Sequence, residues 1–249
     1  MITVDIKGKK VEMWDSIDEL PIRRFHKFNK YMLVDSGIGS DLNDIDTHIY
    51  KVMKFIEMDD KDNARLQLEN MRQSLYMISQ ENNIRHLSFI TLIKSIDGVD
   101  VTDLSDENIK RLSEIFNKKS VTFVDRIINS FKKKVDEELA LYFPGYFDDT
   151  TAKEYCDKIR ERALLQIDAI LKEVDNNELI NKVEEFLVNL AKPKVFSGAK
   201  SVEIAYDKQF EEMCLYLKKE TGVDAESMNV LQFYNAFEYI KKLNKPNKK

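Results

Sequence analysis

Hydrophobic positions along the chain fall into two rhythms. Ile2, Val4 and Ile6 alternate with polar residues, and Val11 and Met13 continue the alternation after Lys7-Gly8-Lys9. A period of two half-buries an extended strand, so residues 2–14 read as a two-stranded ribbon. From Asp15 the spacing becomes three to four, the mark of helices with one buried face. Pro21 suits a first helical turn and leads the stripe Ile22, Phe25, Phe28, Met32 and Leu33, which Gly37 and Gly39 close. Asp41 then caps a second helix with Leu42, Ile45, Ile49, Val52, Met53 and Ile56 facing inward. A third, opened by Asp59, Asp60 and Asp62, carries Leu68, Met71, Leu75 and Ile78. The run from Leu87 to Ile96 is apolar enough to be buried, and Asp97-Gly98 turns the chain. Ser105 with Asp106 and Glu107 starts a helix, because the hydroxyl satisfies a free amide and the acids suit the dipole.

The longest clean stripe is Val121, Val124, Ile127, Ile128, Phe131, Val135, Leu139 and Tyr142, stopped by Pro144-Gly145. Two helices follow at 151–174 (Tyr155, Ile159, Ala163, Ile167, Ile170, Val174) and 177–191 (Leu179, Val183, Phe186, Leu190). Their short joint favours an antiparallel pair. A linker at Lys192–Gly198 precedes helices at 203–219 and 228–243. The expected fold is mainly α: a multi-helix bundle with a small N-terminal β ribbon and a C-terminal two-helix lobe. Its expected parts are the ribbon at 1–14, a helical body at 15–192, and linker plus lobe at 193–249. A two-stranded ribbon is marginal in water by itself, so it must lie on those helices or on a neighbouring chain.

Composition narrows the class. Only 7 Gly and 4 Pro in 249 residues argue against a turn-rich sandwich or barrel. The net charge of −5 argues against a protein that coats nucleic acid, whose affinity comes largely from neutralising phosphates. Cys156 and Cys214 lack a CxxC context and read as reduced, buried thiols. Met1–Gly8 has no leader pattern, and no apolar run reaches the ~20 residues that span a bilayer. A cytoplasmic protein without a membrane partner is expected.

Candidate chemistry is sparse. His26, His48 and His86 fall on different segments and read as surface or capping residues, so no metal site is expected. The acidic stretch Asp35–Asp46 fails the calcium-loop register: counting from Asp41, position six is Asp46 and position twelve is Val52. Gly37-Ile-Gly39 lacks the preceding strand and third glycine of a dinucleotide site. Carboxylate pairs such as Glu137/Glu138 and Glu184/Glu185 are common on charged helix faces, and no catalytic signature is present. The chain therefore reads as a non-enzyme with no cofactor.

Three features stand above this background. Lys132, Lys133 and Lys134 form a basic turn after Arg126, either a solvated face or a contact for DNA or an acidic surface. Tyr142, Phe143, Tyr146 and Phe147 crowd a turn, folding back on the core or meeting a partner. The tail from Lys241 ends in Lys248 and Lys249, a frayed end able to reach phosphate. With Ile2, Val4, Ile6 and Trp14 of the ribbon, the four aromatics are the interface candidates. The lysines are the basic contact candidates.

The run Trp14-Asp-Ser-Ile-Asp-Glu-Leu-Pro-Ile-Arg-Arg-Phe25, behind a short ribbon, resembles the opening of small virion or tail-assembly proteins of tailed bacteriophages. Segments Lys132–Pro144 and Val202–Leu243 are similar to proteins encoded among structural genes of Bacteroides phages, including the crAss-like group. The resemblance rests on short segments and brings no catalytic residue. It implies a non-enzymatic virion protein, made in the host cytoplasm, that forms a homo-oligomer and meets other phage structural proteins. A head–tail connector (ring) subunit is the leading expectation; a packaged cargo protein and a tail-assembly chaperone are alternatives. A nucleic-acid-binding accessory protein, using Lys132–Lys134 and the tail, is a third.

Overall fold

The computed structural model describes residues 1–6, 8–38, 42–79, 84–116, 121–144, 150–190 and 192–243. The elements are β1 (Ile2–Ile6), β2 (Lys9–Met13), α1 (Ile22–Ile38), α2 (Leu42–Glu57), α3 (Lys61–Ser79), α4 (Ile84–Thr91), β3 (Ile93–Ile96), β4 (Val99–Asp100), α5 (Asp106–Phe116), α6 (Val121–Tyr142), α7 (Thr150–Lys172), α8 (Asn177–Leu190), α9 (Val202–Thr221) and α10 (Val230–Leu243). The fold is mainly α with a small antiparallel sheet. Two compact units, each built from separated stretches, make up the chain: 1–36, 81–144 and 197–249 form the first, 37–80 and 145–196 the second.

In the first unit the ribbon is part of a larger sheet. The strands run in the order β1-β2-β3-β4, so β2 is internal and pairs with β3 (Val11 opposite Ile96, Glu12 opposite Ser95). The apolar run 87–96 breaks after Thr91: its first part is α4 and its end is the strand that completes the sheet. Ile6, Val11 and Met13 share one core with Phe89, Ile90, Leu92 and Ile93. The α6 stripe joins them, with Val124, Ile128, Phe131, Val135 and Leu139 all buried. Spacing of three and four puts these side chains on one face, which is the face α6 turns inward.

The C-terminal helices dock here too. Ile22 N–H donates to the Met228 carbonyl, Val230 N–H to Leu20 and Leu231 N–H to Ile17, at 2.9–3.0 Å. Phe210, Cys214 and Leu217 of α9 and Phe233 and Ile240 of α10 complete the core. Ser201 caps α9 by accepting from Glu203 N–H, and Gly222 ends it at φ 73°, a left-handed geometry that favours glycine. Arg24 of α1 is buried and donates to the carbonyls of Thr91 and Ile93, each at 2.9 Å, and to that of Val101. It ties the start of α1 to the β3–β4 hairpin.

The second unit is differently made. α2 packs on α3, α7 on α8, and α2 also touches α8. Its core is small, centred on Phe55, Ala64 and Val188. Polar side chains share its interior: His48 bonds to Gln67, and Asn70 Nδ2 donates to the Lys194 carbonyl at 2.9 Å. The inward stripes expected here are buried only in part: Val52 and Val183 are inside as expected, and most of their companions are not. In α2, His48, Val52 and Phe55 are buried while Ile49, Met53 and Ile56 stand exposed. In α3, Ala64, Gln67 and Asn70 go inside and Leu68 and Leu75 outside. In α8, Val183, Leu187 and Val188 are buried and Leu179 is exposed. These helices carry apolar residues on more than one side, so the facing partner decides which side is covered.

Candidate functional site

One edge of the sheet is β1, the longer of its two edge strands among the described residues. It pairs with β2 alone, Ile2 opposite Met13 through Ile6 opposite Lys9. Lys10, opposite Asp5, donates its N–H to the Asp97 carboxylate (2.8 Å) and its C=O accepts from Asp97 N–H (2.7 Å), on the side away from β1. Hydrogen-bonded pairs alternate along an antiparallel ladder, so Ile2, Val4 and Ile6 bond to β2. Thr3 and Asp5 therefore turn their N–H and C=O outward, and both are exposed. Among the ribbon's interface candidates, Ile2, Val4 and Trp14 are half-buried. Ile6, only 2% exposed, belongs to the core and offers no surface in the folded chain. Trp14 sits with the Lys94 ammonium 5.1 Å from its ring centroid.

Trp14 also lines a cleft of about 900 Å³ in this unit. Charges of both signs line it, and three of its cations are paired within or beside its own walls. Arg23 pairs with Glu226 at 2.9 Å, Lys27 with Asp106 at 2.7 Å and Lys30 with Asp207 at 2.5 Å, while Arg24 is held by carbonyls. The cleft thus has no single-signed field with which to draw a charged ligand.

The basic turn on α6 is partly neutralised. Lys134 lies 3.0 Å from Asp15 and 3.9 Å from Glu138, and Lys133 lies 3.9 Å from Glu137. The hydrogen bond to Asp15 raises the Lys134 pKa. Lys132 is exposed. Of the aromatic turn, Tyr142 is 58% exposed, whereas Phe143 is buried with its ring 5.5 Å from that of Tyr234. Phe143 thus folds back on the core. Tyr146, Phe147, Lys248 and Lys249 lie outside the described residues.

The histidines are interior, not surface or capping groups. The His26 ring stacks between Tyr206 (4.6 Å) and Phe210 (4.0 Å), and Nε2 lies 2.9 Å from Asp207. His86 is 1% exposed, and neither ring nitrogen has a hydrogen-bond partner. Burial depresses both pKa values against the opposing pull of Asp207 on His26 and Asp125 on His86. A depressed histidine pKa means that the unfolded chain takes up protons the fold refuses. The stability held by neutral His26 and His86 is complete above the unfolded value of about 6.5 and declines as pH falls below it. Thermal melts should therefore shift downward below that pH. His86→Leu, which removes an unpaired buried polar group, should leave neutral-pH stability equal or about 1 kcal/mol higher and flatten the acid limb. An unchanged acid limb would show that His86 does not contribute.

Cys214 is buried, and burial pushes its thiol up to about 11. Cys156, expected inside, is exposed on α7. Among the described residues, no three His, Cys, Asp or Glu side chains converge as metal ligands would.

The surfaces that sequence reasoning placed inside are those of the second unit. No described residue of α7 is buried. Its least exposed positions, Lys158, Arg162, Leu165, Asp168 and Ala169, include the side packed on α8, where the Lys158 ammonium lies 5.4 Å from the Phe186 ring centroid. On the remaining surface of α7, Tyr155, Ile159, Leu164, Ile167, Ile170 and Leu171 stand in solvent, and Val174 follows just past its end. Apolar side chains left exposed in this way make α7 a candidate interaction surface.

No protein-family model and no solved structure matches the chain. Protein CapJ of Staphylococcus aureus is 34% identical to it over 106 residues, which cover 41% of this chain and 27% of CapJ. The chain is thus similar to CapJ over a stretch that spans 27% of that protein's length.

Proposed function

We propose that this protein is a non-enzymatic structural component of a tailed-phage particle, an oligomeric head–tail connector subunit acting through protein–protein surfaces. The observation that supports it best is the outer edge of β1, which pairs with no strand among the described residues and is mounted on a helical core. Connectors must hold different neighbours at once, and strand addition at such an edge supplies main-chain hydrogen bonds to an extended segment of another virion protein. The edge carries no proline or lysine within Ile2–Ile6 to discourage pairing. The ion pairs at Lys133 and Lys134 favour this reading over nucleic-acid binding, which needs uncompensated charge.

Removing residues 1–14 does not test the edge, because Val11 and Met13 are core residues and the sheet would be lost with them. Thr3→Pro is the sharper change. It deletes one outward N–H and leaves the bonds of Ile2, Val4 and Ile6 to β2 intact. The variant should keep the helical circular dichroism of the parent yet fail to enter purified phage particles. Normal incorporation of the variant, or absence of the parent protein from particles, would contradict the proposal.

A further inference from the structure

Two helices of the second unit carry apolar faces that stand in solvent and differ in the charge at their ends. On α7, Leu164, Ile167, Ile170 and Leu171 are 55%, 50%, 77% and 74% exposed. Spacings of three, three and one put them on one side of the helix, away from Leu165 and Ala169 on the α8 side. One turn earlier on that side is Arg160, and one heptad before it Lys153. Arg160 makes no ion pair among the described residues. On α2, Ile49, Met53 and Ile56 are 47%, 53% and 55% exposed, at spacings of four and three, with His48, Val52 and Phe55 turned inward. One turn before Ile49 on the exposed side is Asp46, again without an ion pair among the described residues. One face reads cation then apolar ridge; the other reads anion then apolar ridge.

We propose that copies of this chain associate front to back, the α7 face of one copy seated on the α2 face of the next. With the two helices parallel, Arg160 comes beside Asp46. Leu164, Ile167 and Leu171 then run against Ile49, Met53 and Ile56. The steps are four, three and four on α7 and three, four and three on α2, so both ridges keep the seven-residue period that helices packed side by side require. Asp157, also on this side of α7, falls past Asp46 and clear of the ridge. Pairing α7 with a second α7 in antiparallel fashion would cover the same ridge. It would set Arg160 against the apolar end of its partner, however, and leave the α2 face bare. Opposite end charges decide for the α7–α2 contact. Two different faces meeting repeatedly make a heterologous contact, which closes into a ring when the rotation allows. The inference rests on the proposed oligomeric role, and not on the phage assignment.

Analytical ultracentrifugation of the purified full chain tests it. The substituted side chains are exposed, so circular dichroism should report an unchanged fold. Leu171→Glu should weaken association at least about tenfold, since it puts a charge where a leucine would be buried. Arg160→Asp and Asp46→Arg should each weaken it several-fold, and the double variant Arg160→Asp/Asp46→Arg should recover most of the loss, because like charges are replaced by a reversed pair. The proposal is overturned by a monomeric parent chain, by an oligomer indifferent to Leu171→Glu, or by a double variant no better than either single. Loss on Leu171→Glu with no effect of Asp46→Arg would point to α7 pairing with itself and would equally overturn it. Thr3→Pro should leave this self-association untouched, so a failure of the β1 edge and a failure of the α7–α2 contact are read separately.

Discussion

Arg24→Ala is expected to cost about 3–5 kcal/mol of stability, a large share of the 5–15 kcal/mol that typically holds a domain together. The guanidinium is buried and gives one nitrogen to the carbonyls of Thr91 and Ile93 and the other to Val101. Alanine would leave the buried carbonyls of Thr91 and Ile93 without this donor, each worth roughly 1 kcal/mol or more, would free the part-buried one of Val101, and would open space where the side chain packs. Arg24→Lys keeps the charge but not the planar fork, so it should recover only part of the loss. Arg23, one residue away, is the control: it is exposed and pairs with Glu226, an interaction worth no more than about 1 kcal/mol. Urea unfolding of the three variants measures this. An Arg24→Ala cost as small as that of Arg23→Ala would mean that the hairpin does not depend on the arginine.

Phe55→Ala should have its effect in the second unit alone. Phe55 is fully buried and is the largest side chain of a core whose other centres are Ala64 and Val188. Phenylalanine truncation in a core costs about 3–5 kcal/mol. A unit that buries so little elsewhere, and fills the seam between α2 and α3 with His48, Gln67 and Asn70, has little with which to absorb it. Hydrogen exchange read by mass spectrometry should show α2, α3 and α8 losing protection while β2, α4 and α6 keep theirs. Equal loss of protection in both units would contradict a separately stabilised second unit.

The contrast between the units also explains what the sequence made legible. The α6 stripe has one apolar side, so its spacing alone identifies Val124, Ile128, Phe131, Val135 and Leu139 as core. The alternation of Ile2, Val4 and Ile6 likewise identifies a strand. What completes the sheet lies some eighty residues away, in an apolar run too uniform to reveal where a helix ends and a strand begins. In α2 the apolar positions wrap around the helix, so Ile49, Met53 and Ile56 match the period as well as Val52 and Phe55 do. The helix that packs against one side decides between them. Arg24 and His86 carried no signal, since a buried arginine held by carbonyls has the same local sequence as an exposed one. Of the exposed α7 face, Ile167 and Ile170 belong to the expected stripe while Leu164 and Leu171 do not, and nothing in the spacing shows that it turns outward.

Native mass spectrometry of the intact chain addresses the central claim, that this protein works as an oligomer through its own surfaces. A connector built by front-to-back contacts gives one dominant species at an integer multiple, above two, of 29.2 kDa. A 29.2 kDa monomer as the only species at the same micromolar concentration would contradict it.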